Sequence, residues 1–269
     1  MEIDKIINAD SYIYIKNIPD KSIDCVYIDV PYEYTTGGTS DTKLGQRYFK
    51  RTLQLKNYDE ALIKNSNKEI HNSIRIDKFN AKKRLELDDM DCGIDYSIFE
   101  DLCRVMKKVN IFIWCSKKQI PEILKYFVDH KHCNFDILVW AKTNAIPTNN
   151  CFLSNLEYCL YFRESGVKFN SEYENKSKWF CSSSNKADKN KFGHPTIKPL
   201  QFVEQHIKLA TNPGDVVLDC FLGSGTTVIA CKNTGRHYIG IERNKKHYKT
   251  AVERSNCMDR YGQTTMFPV

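Results

Sequence analysis

Short apolar runs that end at an acidic residue recur along the chain. Ile23 to Ile28 is almost continuously apolar and ends at Asp29, and Val216 to Leu218 ends at Asp219. Runs without polar alternation are typical of parallel strands that are buried on both faces. Comparable runs lie at Ile6–Ile7, Val109–Cys115, Phe135–Ala141, Leu156–Phe162 and His237–Ile241. Together these runs predict the strands of an α/β sheet.

Helical patterns separate most of the runs. Apolar residues recur at spacings of three and four in Tyr96–Lys108 and Leu200–Ala210. Further helices are predicted at Tyr12–Ile18, Pro121–His130, Thr226–Thr234 and Lys245–Arg254. A loop rather than a helix joins the runs at Phe135–Ala141 and Leu156–Phe162, which predicts an antiparallel hairpin at one edge of the sheet. The pattern predicts an α/β fold with a doubly wound, mostly parallel sheet and polar inserts.

Two polar stretches interrupt this alternation. Residues 33–91 lack a regular pattern, and within them residues 43–84 carry twelve Lys and Arg against four Asp and Glu, a balance of +8. This segment therefore accounts for the whole net charge of +7. Long loops of this kind are functional or disordered, so we expect a mobile insert. The basic charge is compatible with a DNA clamp and also with a solvated loop.

Composition narrows the class of protein. A chain of 269 residues with 41% hydrophobic residues is long enough for one large α/β domain or two small ones. No apolar run approaches the roughly 20 residues that span a bilayer, so we expect a soluble cytoplasmic protein without a membrane partner. The eleven cysteines contain no Cys-x-x-Cys pair. This spacing favours reduced core thiols over disulfides or a metal site.

The segment Asn212–Thr227 reads as a strand, a glycine loop and a helix. Gly223 and Gly225 would let the backbone approach a ligand at the carboxyl end of the strand. Glu242 follows the second glycine after about 17 residues, near the roughly 20-residue offset at which an acid meets ribose hydroxyls. The ligand predicted by this spacing is a nucleoside. A third glycine at dinucleotide spacing is missing, which disfavours an oxidoreductase.

Two further motifs carry a family resemblance. Asp29-Val-Pro-Tyr32 lies near the amino terminus, and His194-Pro-Thr-Ile-Lys-Pro-Leu200 lies just before the glycine loop. With these motifs the chain resembles the amino-group DNA methyltransferases, which act on adenine N6 or cytosine N4. It is most similar to their beta arrangement, in which the catalytic motif precedes the cofactor motif. The resemblance implies a Rossmann-like methyltransferase fold and S-adenosyl-L-methionine as the cofactor.

The resemblance also implies a domain organisation. Residues 1–32, 92–163 and 193–269 would together form one catalytic domain. Residues 33–91 would form the basic mobile insert, and residues 164–192 a short target-recognition region. Trp179 and its neighbouring lysines in that region suit base stacking and phosphate contact.

The Asp-Val-Pro-Tyr motif is expected to hold the target base. By the resemblance, the Asp29 carboxylate and the Val30 carbonyl accept hydrogen bonds from the exocyclic amino group, and Tyr32 stacks on a flipped base. Pro31 biases Val30 toward an extended conformation. The family usually has proline where this chain has Val30. An acid at position 29 favours adenine, since serine is commoner there in the cytosine enzymes.

The cofactor residues also follow from the resemblance. Asp10 and Ser11 would contact the cofactor adenine, and Glu242 the ribose; Thr196 and Lys198 would hold the methionine carboxylate. The glycine-loop set would cradle the methionine end and consists of Asp219, Cys220, Phe221, Gly223, Ser224, Gly225, Thr226 and Thr227. Candidates for the target-base or linking-loop region are Lys142, Asn144 and Glu157, whereas Trp140 is expected in the core.

The predicted function is methyl transfer from S-adenosyl-L-methionine to adenine N6 within a specific sequence of double-stranded DNA. Two alternatives stay open. One is a cytosine N4 enzyme, and the other is a catalytically silent DNA-binding protein in which Val30 prevents methyl transfer. A homodimer and a partner restriction nuclease are further expectations from the resemblance.

Overall fold

A single mixed sheet organises the part of the chain that the structure describes. The structure, a computed structural model, describes residues 1–32, 93–145, 150, 152–170, 173, 175–183 and 197–256. Eight strands of the described chain pair in the order β1-β8-β7-β2-β3-β5-β4-β6. Their bounds are β1 Lys5–Ile7, β2 Cys25–Asp29, β3 Asn110–Cys115, β4 Asn134–Lys142, β5 Leu156–Arg163, β6 Trp179–Ser182, β7 Val216–Asp219 and β8 His237–Ile241.

The sheet is mostly parallel, as its apolar strands predict. Among the described strands only β5 runs against its neighbours, β3 and β4. The chain order reverses between β7 and β2, because β7 continues toward β8 on one side while β2 continues toward β3 on the other. Ligands of open α/β sheets bind at such a switch point, outside the carboxyl ends of the strands.

Helices flank the sheet close to their predicted positions. Helix α1 passes into a 3₁₀ turn at Ile15–Asn17, and α3 continues as a π-helical segment at Lys125–His130. The helix bounds are α1 Ser11–Tyr14, α2 Ile98–Val105, α3 Ile120–Leu124, α4 Leu200–Ala210, α5 Thr226–Thr234 and α6 Lys245–Asn256.

Strand β6 is a departure from the sequence prediction. It pairs in parallel with β4, with Val139 opposite Trp179, and therefore occupies the edge of the sheet. The predicted antiparallel hairpin of β4 and β5 is present but lies one strand inside that edge. Four residues in a polar stretch are too short to show a strand pattern, and the pairing is instead reinforced by Trp140, whose Nε1 donates to Ser182 Oγ across 2.9 Å.

Aromatic side chains fill the core on both faces of the sheet. On one face Phe112 and Trp114 pack with Phe202 of α4. On the other face Phe127 of the π-helical segment stacks on Phe162 of β5, with ring centroids 4.7 Å apart. The predicted core cysteines are buried in these layers: Cys25, Cys115, Cys159 and Cys220. Trp140 is buried as predicted.

The chain divides into two compact units, residues 1–30 with 95–269, and residues 31–94. Of the second unit the structure describes residues 31, 32, 93 and 94, so the predicted mobile basic insert at 33–91 lies outside the described residues. Within the described segments, every helix is too short or too polar to cross a lipid bilayer.

Candidate active site

Gly225 begins helix α5 in a conformation that other residues rarely adopt. Its φ is +84°, and a Cβ at this position would lie 3.1 Å from Ala251 Cβ and 3.3 Å from Ala251 Cα in α6. Glycine is therefore needed both for the turn and for the close approach of α5 and α6. The result is a tight turn that directs the amino-terminal end of α5 toward the switch point. The first N–H groups of a helix lack intrahelical partners and favour anionic ligands.

Asp219, the last residue of β7, braces this loop from inside. Its Oδ1 accepts from the Phe221 N–H at 3.0 Å, and its Oδ2 accepts from the Thr227 hydroxyl at 2.6 Å. The side chain is only 4% exposed. Burial raises the pKa of Asp219 to about 7. The two hydrogen bonds lower the pKa, and the neighbouring charges of Asp29 and Glu242 raise it by smaller amounts. Asp219 thus ties the end of β7 to the start of α5.

Glu242 joins the end of β8 to the same loop. Its Oε2 accepts from the Gly223 N–H at 2.8 Å, and its Oε1 accepts from the Asn244 N–H at 2.7 Å. Burial raises its pKa. Each carboxylate oxygen has a second acceptor position, so these bonds leave capacity for ribose hydroxyls. The predicted ribose acid therefore stands beside the glycine loop.

Asp10 and Ser11 lie at the start of α1, next to the glycine loop. Asp10 is the N-cap and accepts from the Tyr12 N–H at 2.9 Å. The Ser11 hydroxyl donates to the carbonyl oxygen of Cys220, so it ties α1 to the residue that follows β7. The Phe221 ring meets the Tyr12 ring edge to face at 6.3 Å. The structure therefore brings the amino-terminal pair and the glycine-loop set together.

Arg254 is a buried arginine that sequence reasoning missed. It projects from α6 behind the loop, and its Nη1 donates to the carbonyl and hydroxyl oxygens of Ser224 at 3.3 and 3.1 Å and to Thr226 Oγ1 at 2.9 Å. It is 3% exposed. In sequence it is one more basic residue near the end of a helix, a pattern that ordinarily indicates a solvated position. The signal that could have found it is its spacing of three residues from Ala251 and seven from His247, the other buried positions on that face of α6.

Val30 is held by the neighbouring strand. Its backbone N–H donates to the carbonyl oxygen of Trp114 across 3.2 Å, and its side chain is buried. The N–H that valine has and proline lacks is therefore used to extend the β2–β3 ladder by one residue. Pro31 and Tyr32 follow directly in the chain and are both partly buried.

Asp29 ends β2 beside an alternating row of charges. Its Oδ2 lies 2.7 Å from Lys198 Nζ, and the same Nζ lies 3.0 Å from Glu157 Oε2. The other oxygen of Glu157 forms an ion pair with Lys142. Lys198 Nζ also lies 5.1 Å from the centre of the Trp114 ring. The structure places Lys198 against Asp29 of the predicted catalytic motif. Thr196, its predicted partner in cofactor binding, lies outside the described residues.

The pKa values of this row follow from burial and pairing. Burial disfavours the charged form of Lys198, but Asp29 and then Glu157 more than offset it, so the pKa of Lys198 lies above its ordinary value. Burial likewise opposes ionisation of Glu157, yet Lys198 and Lys142 together lower its pKa to about 2. Both groups are therefore charged at neutral pH.

A neutral histidine connects helix α4 to the floor of the site. The Tyr27 hydroxyl lies 3.1 Å from His206 Nδ1 and accepts from Trp114 Nε1 at 2.9 Å. Burial lowers the pKa of His206 to about 3, so the imidazole carries no charge at neutral pH. The hydrogen bonds join β2, β3 and α4 directly beneath Asp29.

The two halves of the site meet on adjacent strands. Strands β2 and β7 pair in parallel with Cys25 opposite Val217 and Val26 opposite Leu218. At about 3.3 Å per residue, Asp29 therefore stands about 7 Å further along the strand direction than Asp219. Asp29 with the turn after it and Asp219 with the glycine loop therefore lie at the carboxyl ends of adjacent strands. This arrangement defines an α/β enzyme of the Rossmann-like methyltransferase class.

The chain belongs to the DNA methylase family of N6 and N4 methyltransferases, whose family model matches residues 23–253. It is 29% identical over 274 residues to the Type II methyltransferase M2.LlaDCHI of Lactococcus lactis subsp. cremoris, a match that covers 96% of this chain and 91% of that protein. It is 27% identical over 266 residues to the Type II methyltransferase M2.DpnII of Streptococcus pneumoniae, covering 93% and 88%.

Solved structures agree on the fold. The M1.HpyAVI-SAM complex superposes with a TM-score of 0.59 at 24% identity, covering 94% of this chain and 98% of that one. The PvuII DNA methyltransferase (cytosine-N4-specific) superposes with a TM-score of 0.64 at 14% identity, covering 98% and 88%. The predicted family and the predicted fold class are thus confirmed.

Proposed function

We propose that the protein transfers a methyl group from S-adenosyl-L-methionine to the exocyclic N6 of adenine, in a base flipped out of a specific double-stranded DNA sequence. The observation that carries the proposal is the parallel pairing of β2 with β7, which puts Asp29 and the glycine loop after Asp219 at the carboxyl ends of adjacent strands. Family membership supplies the reaction class.

The residues around the glycine loop suit S-adenosyl-L-methionine. The N-terminal turn of α5, with Thr226 and Thr227, offers donors for a carboxylate. Glu242 offers acceptor capacity for ribose hydroxyls, and Asp10 and Ser11 lie where the adenine would bind. The cofactor supplies a methyl group on a sulfonium, whose carbon–sulfur bond breaks with its electron pair on sulfur as the new carbon–nitrogen bond forms.

The catalytic motif would act by orientation and electrostatics. The adenine amino group is a poor nucleophile because its lone pair is conjugated into the ring. The Asp29 carboxylate and the Val30 carbonyl would accept its two N–H bonds, hold the nitrogen in line with the methyl group, and stabilise the positive charge that develops there. The nitrogen afterwards loses one proton to water. Tyr32 would stack on the flipped base, and Pro31 would hold the Val30 carbonyl in place.

The partners are proposed on the same basis. Double-stranded DNA is the substrate that the DNA methylase family implies, and the basic segment at 43–84 would add salt-sensitive phosphate contacts. The similar proteins are named Type II methyltransferases, which supports a role in restriction and modification with a partner nuclease. The homodimer, the domain organisation and the recognition role of residues 164–192 stay predictions.

The test is methyl transfer from labelled S-adenosyl-L-methionine to unmethylated DNA, followed by digestion to nucleosides. We expect label in N6-methyladenine and none with an Asp29→Ala variant. Label in N4-methylcytosine would show the cytosine enzyme instead. Binding of cofactor and DNA without any transfer would show the silent DNA-binding protein.

A further inference from the structure

A row of alternating charges begins at the end of β2. It consists of Asp29, Lys198, Glu157 and Lys142. We propose that Lys198 orients the catalytic carboxylate of Asp29 and that Glu157 is a positioning residue, which acts on methyl transfer by sharing the charge of Lys198. The inference rests on the proposed function, because it assigns a role within the same reaction. It differs from the role that the resemblance implies for Lys198, which is to hold the methionine carboxylate of the cofactor.

The geometry places Lys198 between two carboxylates. Its Nζ lies 2.7 Å from Asp29 Oδ2 and 3.0 Å from Glu157 Oε2, and its side chain is 6% exposed. Distances this short to two acids are those of charge-assisted hydrogen bonds. The bond to Oδ2 restrains rotation of the Asp29 side chain. The carboxylate plane is therefore set before a base enters.

The backbone fixes the other members of the row on rigid elements. Glu157 lies on β5 opposite Trp140 of β4, in the register that places Ala141 opposite Leu156. Lys142, the last residue of β4, reaches across the hairpin to Glu157. Because both strands are paired along their length, Glu157 cannot follow Lys198 if that side chain moves. Glu157 is thus a fixed anchor for the lysine.

The charges in the row balance. Two lysines face two acids, and the side chains of Lys198 and Glu157 are 6% and 15% exposed, so water screens them weakly. Neutralising Glu157 would leave the row with a net charge of +1 and with Asp29 as its one remaining carboxylate. The lysine would then be drawn more strongly onto Asp29. A carboxylate held more tightly by an ammonium is a weaker acceptor for the amino group of a base.

The proposal separates catalysis from cofactor binding. The glycine loop is braced by hydrogen bonds of Asp219, Glu242 and Arg254, whereas Glu157 pairs with Lys142 and Lys198. A change at Glu157 should therefore lower kcat while the cofactor dissociation constant stays the same. If Lys198 instead held the methionine carboxylate, the dissociation constant would rise.

The experiment compares four proteins: wild type, Glu157→Gln, Glu157→Gln with Lys142→Met, and Asp136→Asn. The double variant removes one charge of each sign, which restores the net charge of the row but still leaves Lys198 without Glu157. Asp136→Asn is the matched control. It removes the more exposed ion pair between Asp136 and Lys178. Asp136 lies on β4, the strand that also carries Lys142. For each protein kcat on DNA and the dissociation constant of S-adenosyl-L-methionine by calorimetry are measured, with thermal unfolding as the check on folding.

We expect Glu157→Gln to lower kcat about tenfold and the double variant to stay as slow, because Lys198 lacks Glu157 in both proteins and is drawn onto Asp29. Cofactor affinity should stay within about twofold throughout, and Asp136→Asn should match wild type. A Glu157→Gln enzyme equal to the control, a double variant that recovers the wild-type rate, or a loss of cofactor affinity would each overturn the inference. If the proposed function itself is wrong, the wild-type protein transfers no methyl group, which distinguishes that outcome from failure of the inference about Glu157.

Discussion

The backbone N–H of Val30 donates to the carbonyl oxygen of Trp114 across 3.2 Å. Through this bond the residue that would present its carbonyl to the target base is fixed to β3, a buried central strand. Strand pairing here takes the place of the ring constraint that proline gives related proteins.

Replacing Val30 with proline should therefore weaken the protein without abolishing its activity. The change leaves the Trp114 carbonyl without this donor, which costs about 1 kcal/mol in unfolding free energy. Asp29 and the carbonyl of residue 30 remain, so kcat should stay within about fivefold of wild type. Urea unfolding and methyl-transfer rates measure the two effects. A variant as stable as wild type would show that the hydrogen bond contributes nothing.

Gly225→Ala should disrupt the glycine loop. Alanine would have to adopt φ near +84° and place its Cβ 3.1 Å from Ala251 Cβ. We expect a loss of about 2–3 kcal/mol in unfolding free energy, together with at least tenfold weaker cofactor binding, on the order of 1.4 kcal/mol.

The matched control for that variant is Gly214→Ala. Gly214 has a similar φ of +87°, but a Cβ there would meet no atom within 4 Å. Only the backbone strain remains, about 1 kcal/mol, and cofactor affinity should not change. Equal effects of the two substitutions on cofactor binding would mean that the contact with Ala251 does not shape the site.

Asp219 should make stability depend on pH. Its folded pKa of about 7 lies above the ordinary value of 3.8. Between these values the folded protein keeps a proton that the unfolded chain has lost, so the contribution of Asp219 to stability falls as pH rises through this window.

Asp219→Asn removes that dependence while keeping a side chain that can bond both Phe221 and Thr227. Relative to wild type, the variant should gain on the order of 1–3 kcal/mol in unfolding free energy between about pH 4.5 and about pH 8. Denaturant titrations at several pH values measure the difference. A constant offset between the two proteins would contradict the raised pKa.

Arg254→Met should loosen the glycine loop from behind. The three oxygen atoms of Ser224 and Thr226 that accept from Arg254 would lose that donor inside the protein. We expect a loss of about 2–4 kcal/mol in stability, since a buried charged hydrogen-bonding network is broken. Lys249→Met on the exposed side of the same helix is the control and should be nearly neutral. Thermal and urea unfolding report both.

The sequence predicted those parts of the fold whose signals are local. Helix α4 matches its predicted bounds because apolar periodicity and the preceding Pro199 mark it, and α5 does so because Gly225 and Gly235 flank it. Strands β2 and β7 were predicted from continuous apolar runs that end at acids. Strand β6 could not be predicted, since its four residues become a strand only by pairing with β4.

The candidate site shows the same division. Asp29, Asp219 and Glu242 were predicted because each stands at the end of an apolar run, and the structure places them at the carboxyl ends of β2, β7 and β8. The contact of Lys198 with Asp29, the brace from Arg254 and the N–H bond of Val30 were not predicted. Each joins residues far apart in sequence, and nothing in the local pattern encodes such a partner.

The strand order carries a consequence for synthesis on the ribosome. Strands β7 and β8 lie between β1 and β2 in the sheet, although about 190 residues of chain separate β2 from β7. Until these strands have been synthesised, β1 lacks its partner β8 and β2 lacks its partner β7. Unpaired apolar strands invite association with other chains. Strand β2 therefore lacks β7 beside it until about 190 further residues have been made, and the carboxyl ends of the two strands meet only after that.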